Sequence, residues 1–239
     1  MYANKIQQKK VAIVQSNYIP WKGYFDLINL SDEFILFDNV QYTRRDWRNR
    51  NRIKVRDGAV WLTIPVTVKG KYFQRICDTE ISDHQWSKTH WETIRHSYAK
   101  ARYFKEYADF FEKLYIESST LTFLSQINLY FLSEICCLLG IRTRITRSTD
   151  YNLIQGQTER LISLCQQVEA TEYISGPSAR SYLDEKLFEQ AGITLRYMDY
   201  SGYPEYAQVF PPFDHHVSII DLILNTGPAA CEYLKSFKL

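Results

Sequence analysis

Apolar residues in this chain fall into short β-branched runs separated by segments with helical spacing. Val11-Ala-Ile-Val reads as a buried strand, and Phe34-Ile-Leu-Phe as a second one that ends at Asp38. Between them Gly23 to Leu30 is amphipathic and predicts a short helix, giving strand, helix, strand with a right-handed crossover. Residues 41–58 are too charged for a core element and predict a loop or exposed hairpin ending at the Asp57-Gly58 turn. Trp61 to Val66 follows as a strand, with Pro65 near an end or edge. Ser82-Asp83-His84-Gln85 opens a helix to about Lys100, and helices follow over 103–117 and 121–139, the latter stopped by Gly140. Ile141 to Thr146 predicts a strand, Gln157 to Val168 a helix, and Glu172 to Pro177 a strand running into a tight loop. Ser178 to Ala191 predicts a helix stopped by Gly192, and Ile193 to Met198 the last strand. Asp214 is placed to cap a final helix from His215 to about Asn225.

Strands alternating with helices predict a three-layer, Rossmann-like α/β fold with a mostly parallel sheet. One domain over 1–239 is expected, with the helical stretch at 83–139 inserted as a subdomain or lid. No stretch approaches the roughly twenty apolar residues of a membrane span, and the N-terminus lacks a signal-peptide core. The five cysteines are odd in number and lack metal-type spacing, so buried reduced thiols in a cytoplasmic protein, without a metal site, are expected.

Charge changes this picture in one place. The net charge of +2 argues against a general nucleic-acid binder, yet Arg44, Arg45, Arg48, Arg50, Arg52, Lys54 and Arg56 crowd into one segment with Asp46 as its acid. Such cations repel one another unless carboxylates or a bound anion offset them, and arginine suits bidentate contacts to phosphate. The functional reading is an anion pocket with Tyr42 and Trp47 as stacking surfaces; the plain reading is a solvated hairpin.

Polar residues just past the ends of buried strands mark ligand sites in α/β sheets. On that ground Gln15, Tyr18, Trp21 and Tyr24 in the first turn are candidate substrate contacts, against an ordinary turn in which Pro20 starts the helix and Trp21 packs. Phosphate binding by a glycine-rich loop lacks its motif. His90 shares a helical face with Ile94 and Tyr98 and is a candidate general base, as is Asp38. A hydrogen-bonded core histidine is the alternative. Ser175 and Ser178, at a strand end, make a possible anion nest or a helix cap. Ser218, Asp221 and Asn225 form a polar stripe on an apolar helix, either touching ligand or bracing loops from within.

Several blocks resemble the WbqC-like family: Gln15-x-x-Tyr-x-Pro-Trp-x-Gly-Tyr-Phe, Asp38-x-Val-Gln-Tyr, Trp47-x-Asn-Arg-Asn-x-Ile, Trp61-Leu-Thr-Ile-Pro-Val, Tyr173-Ile-Ser-Gly and Ser218-Ile-Ile-Asp-Leu. These blocks add Gln41, Asn49 and Arg50 to the expected substrate contacts. The family is encoded among genes for O-antigen and other surface polysaccharides. The resemblance therefore implies a place in that pathway, and the reaction expected there is transfer of an acyl or aminoacyl group to the amine of a nucleotide-linked amino sugar. An acyl or aminoacyl donor on CoA or an acyl-carrier protein is the expected co-substrate, with neither nucleic acid nor membrane insertion involved. A non-catalytic assembly protein of the same pathway is the first alternative. A nucleotidyltransferase is the second, set back because Pro20-Trp-Lys-Gly-Tyr stands where that superfamily has a paired-histidine turn.

Overall fold

A computed structural model describes residues 8–238, which form two compact units. The first comprises the described part of Met1–Val14, with Leu27–Phe37 and Thr143–Ser201; the second comprises Gln15–Asp26, Asp38–Arg142 and the described part of Gly202–Leu239.

Five parallel strands make the first unit: β1 (Lys10–Val14), β2 (Glu33–Leu36), β5 (Arg144–Arg147), β6 (Glu172–Ser175) and β7 (Thr194–Tyr197), in the order β5-β2-β1-β6-β7. The fold class is α/β with a Rossmann-like parallel sheet, as the strand–helix alternation predicts. Its central strands are apolar on both faces because both are covered. Val11, Ile13 and Ile35 pack on one side with Leu161 and Leu164 of α5 (Thr158–Gln167) and with Tyr173 and Phe188, while Ala12, Phe34 and Ile174 are fully buried too. The Tyr173 and Phe188 rings lie nearly parallel, 5.3 Å apart. The expected helix over 178–191 is split. A 3-10 turn (Pro177–Ser181) comes first, and α6 (Glu185–Gln190) then starts afresh because the Asp184 carboxylate caps the Lys186 N–H at 3.0 Å.

The second unit holds the start of α1 (Lys22–Asn29), an antiparallel hairpin, three long helices and the C-terminal segment. The charged segment does contain a hairpin, and its turn is the expected one: β3 (Arg50–Val55) pairs with β4 (Gly58–Thr63) through Val55 and Gly58. Half of β3 is nonetheless core, since Asn51, Ile53 and Lys54 are buried. Helices α2 (Trp86–Tyr98), α3 (Phe104–Ser118) and α4 (Leu124–Leu138) follow, and His90, Ile94 and Tyr98 do share the buried face of α2. The final helix, α7 (Ile219–Thr226), begins later than the pattern suggested. Ser218 caps it, while Asp214 instead accepts the His216 N–H at 2.7 Å in a tight turn ahead of it. No helix among the described residues is long and apolar enough to cross a membrane.

Candidate functional site

The turn from Gln15 to Trp21 is held in a conformation its sequence does not favour. Ile19 has φ +36°, the left-handed region, although it is β-branched and precedes a proline. Side chains supply what the backbone preference does not. Asn51 donates to the carbonyls of Tyr18 (3.1 Å) and Ile19 (2.9 Å), and the Tyr18 N–H donates to Trp47 O at 3.1 Å. Arg48 donates to the Gln15 carbonyl at 3.2 Å and to Asn17 Oδ1, and Asn128 bridges Ser16 Oγ and Arg48 O at 2.9 Å each. Strain survives where the surroundings over-determine it, and such residues gather at functional sites.

Beside this turn lies a cavity of about 240 Å³, lined by Asn17, Pro20, Trp21, Trp47, Asn51 and His216. Trp21 stacks with His216 at 28° and 6.4 Å, which gives the cavity one flat wall. Trp47 is a second wall and continues into Trp61, 5.3 Å away. The Arg50 guanidinium lies 4.1 Å from the Trp61 ring centre and that of Arg52 lies 5.7 Å from it. The Nε atoms of Arg50 and Arg52 are buried without a hydrogen-bond partner. Asp214 Oδ1 lies 3.5 Å from His216 Nδ1, and Arg52 reaches both the His216 carbonyl (3.1 Å) and Asp214 (3.6 Å). Lys22 follows Trp21 into a cage of Tyr203, Tyr206 and Phe213 and donates to Pro204 O at 3.0 Å, which fixes the segment that carries His216. Indole faces bind the C–H face of a sugar or a base, and guanidinium groups bind phosphate. The volume suits one ring, being below the range of about 300–1,000 Å³ that takes a whole drug-sized ligand.

The basic segment is dispersed rather than focused. Arg44 donates to Val68 O, Arg48 to the first turn, Arg50 to Arg45 O, and Lys54 to Pro212 O. Backbone carbonyls therefore offset much of the repulsion that called for an anion, and Arg50 and Arg52 remain beside the aromatic walls.

Of the expected contacts, Trp21 lines the cavity, and Gln15 sits at the base of the same turn, its carbonyl accepting from Tyr24 OH at 2.9 Å. Asn49 donates to Ile64 O at 2.8 Å, and its Oδ1 is buried and unpartnered. Tyr18 is fully buried, its hydroxyl bonded to His90 Nδ1 (2.9 Å) and Tyr115 OH (2.8 Å). His90 sits in that aromatic cluster with Trp86; burial pushes its pKa down to about 4, a hydrogen bond to the Thr63 backbone opposing. It is neutral at ordinary pH. Asp38 accepts from the Ser16 N–H at 2.8 Å, and burial raises its pKa. Gln41 is exposed and donates to Tyr72 O at 3.0 Å. Asp221 is fully buried and accepts from Tyr98 and Tyr206 at 2.7 Å each and from Gln208 at 2.8 Å, which is the geometry of a brace. Ser175 and Ser178 belong to the first unit, where Ser175 is buried at the end of β6 and Ser178 is exposed. Sequence reasoning missed Asn17, Asn51 and His216. For His216 a signal existed, the run Asp214-His215-His216 before the final helix, but it reads equally as a cap.

A larger cavity of about 480 Å³ lies along α2 and α3. Its lining mixes Lys88 and Arg95 with Glu92 and Glu112, Trp91 Nε1 is already committed to Glu112 at 3.0 Å, and no lining residue holds an orphaned buried polar atom. The smaller cavity has the strained turn, the indole walls and the unpartnered guanidinium nitrogens beside it.

The model of the WbqC-like protein family matches residues 15–233. Over 227 residues the chain is 52% identical to the uncharacterized protein Rv1507c of Mycobacterium tuberculosis (strain H37Rv), an alignment that covers 95% of this chain and 98% of that one. No solved structure matches.

Proposed function

The chain belongs to the WbqC-like protein family, and from that premise we propose that it is an enzyme of surface-polysaccharide sugar biosynthesis that acylates the amine of a nucleotide-linked amino sugar. The observation that carries this reading is the one-ring cavity with indole walls, a histidine at its edge and arginines beside it. On this reading the sugar ring rests against Trp21 or Trp47, and Arg50 and Arg52 hold the diphosphate outside the cavity. His216, positioned by Asp214, takes the proton from the sugar ammonium, because a protonated amine is no nucleophile. The freed nitrogen attacks the carbonyl of an acyl or aminoacyl thioester on CoA or a carrier protein. A C–N bond forms and the C–S bond breaks; the attacking nitrogen gives its second proton to the departing thiolate, and the first leaves His216 for solvent. His90 and Tyr18 brace the turn from behind.

The test begins with a thermal-shift screen against nucleotide-linked sugars with and without a 4-amino group. A ligand that binds the native state alone raises the melting temperature by mass action. An amino-sugar nucleotide is expected to stabilise the protein, and Trp21→Ala or Arg50→Ala to abolish the effect. With that sugar and an acyl-CoA, free thiol should be released, and His216→Ala should cut the rate at saturating sugar about a hundredfold or more. Binding without thiol release would favour a non-catalytic assembly protein. Pyrophosphate release from a nucleoside triphosphate would favour a nucleotidyltransferase.

A further inference from the structure

Two aromatic rings stand out of the protein with nothing packed over them. Tyr72 is 72% exposed and Phe73 81%, the most exposed large hydrophobic side chains among the described residues, whereas Trp47 and Trp61 are near 40%. Their rings meet edge to face at 4.9 Å. The run Lys69-Gly-Lys-Tyr-Phe is exposed throughout, yet its backbone is pinned. Gln41 donates to Tyr72 O (3.0 Å), the Tyr42 N–H to Gln74 O (2.9 Å), Gln74 to Thr67 O (2.8 Å), and Gly70 turns the chain at φ +75°. The exposure is therefore presented by a fixed turn. Around it stand Lys69, Lys71, Arg44 and Arg75, all exposed, against two carboxylates, Glu80 paired to Lys71 and Asp78 paired to Arg75. The patch is net positive.

From this pairing of rings and cations we infer that the turn at 69–73 is a docking point for an anionic lipid surface. Aromatic rings settle at the headgroup boundary, and neighbouring lysines and arginines are attracted to anionic lipid. A protein partner fits less well. A stable interface buries about 800 Å² per side around an apolar centre, and here cations ring just two side chains. A bilayer asks for neither an apolar face nor a matching shape. This surface is separate from the cavity and does not depend on the chemistry assigned there.

The test is flotation of the full chain with vesicles of phosphatidylcholine alone or mixed three to one with phosphatidylglycerol. The wild type should float with the anionic vesicles and stay behind with the neutral ones, and high salt should release it. Tyr72→Ser/Phe73→Ser should weaken binding by about tenfold or more, and Lys69→Glu by less, with unchanged melting temperatures. Phe73→Trp should shift its emission to the blue on anionic vesicles alone. Failure to float, or equal flotation of the double variant, overturns the proposal. So does a dimer in sedimentation velocity that the double variant abolishes, since a second copy would then cover the rings.

Discussion

The parallel sheet and the first turn are held by opposite kinds of force. In the sheet, Val11, Ala12, Phe34, Ile35 and Ile174 are at or near zero exposure, and the element is specified by removal of apolar surface from water. Around the turn the specification comes from directed hydrogen bonds, Asn51 to two carbonyls, Arg48 to Gln15 and Asn128 to Ser16, and in the same unit Asp221 accepts from three donors, Tyr98, Tyr206 and Gln208. Burial tolerates substitution by another apolar residue of similar volume. A directed bond tolerates almost nothing, because each lost partner strands a buried group.

That contrast is tested most strongly by a matched pair of residues. Phe188→Ala should cost about 3–5 kcal/mol, and Phe188→Leu should recover most of it. Asp221→Ala strands the Tyr98 and Tyr206 hydroxyls and should cost roughly as much, about 3–5 kcal/mol. Asp221→Asn should recover little, because its amide sets an N–H against groups that donate. Urea midpoints of the four variants decide it. If Asn rescues as well as Leu does, the site is held by packing after all.

The same contrast explains what could be read from the sequence. The sheet was legible because burial writes itself as runs of apolar residues, so four of its five strands, β1, β2, β6 and β7, fall within two residues of expectation, and β5 starts three residues late. The candidate site was legible in part. The turn at 15–24 was marked by polar residues beside a strand and Arg50 by the family resemblance, and Trp21 does line the cavity. His216 was not, because its position depends on Lys22 pinning a segment some 180 residues away in sequence. Nor was the dispersal of the arginines, since a carbonyl acceptor leaves no trace in the identity of its residue. Asp214 and Ser218 both satisfy the cap pattern, and only Ser218 is placed by the Arg52 carbonyl, which accepts its N–H at 2.8 Å.

A second test concerns the inner cluster at His90. A histidine near pKa 6.5 when unfolded and about 4 when folded leaves the unfolded chain binding more protons between those values. Its contribution is full above pH 6.5 and falls away as the pH drops towards 4, by about 3 kcal/mol over that window. Asp38 and Asp221, whose pKa values are raised by burial, act in the opposite sense, so the quantity to measure is the difference between wild type and His90→Gln. That difference should shrink as the pH falls. A constant difference would mean that His90 is accessible to protons and not sealed behind Tyr18.

The smallest change in stability should carry a large change in binding. A Cβ on Gly23 would meet the Trp21 ring at 2.4–2.8 Å, so the indole that walls the cavity needs the space a glycine leaves. Gly23→Ala improves helix propensity in α1 by up to about 1 kcal/mol and introduces a clash that displacement of Trp21 relieves. The two terms offset, and the melting temperature should move by a few degrees at most. Binding of the amino-sugar nucleotide should nonetheless fall about tenfold or more, because Trp21 can no longer stack against His216. Trp21→Ala on the Gly23→Ala background should then add little further loss, since both act through one ring. Additive losses would mean that Gly23 serves the backbone of the turn itself, and that the aromatic wall can be adjusted independently of the strain at Ile19.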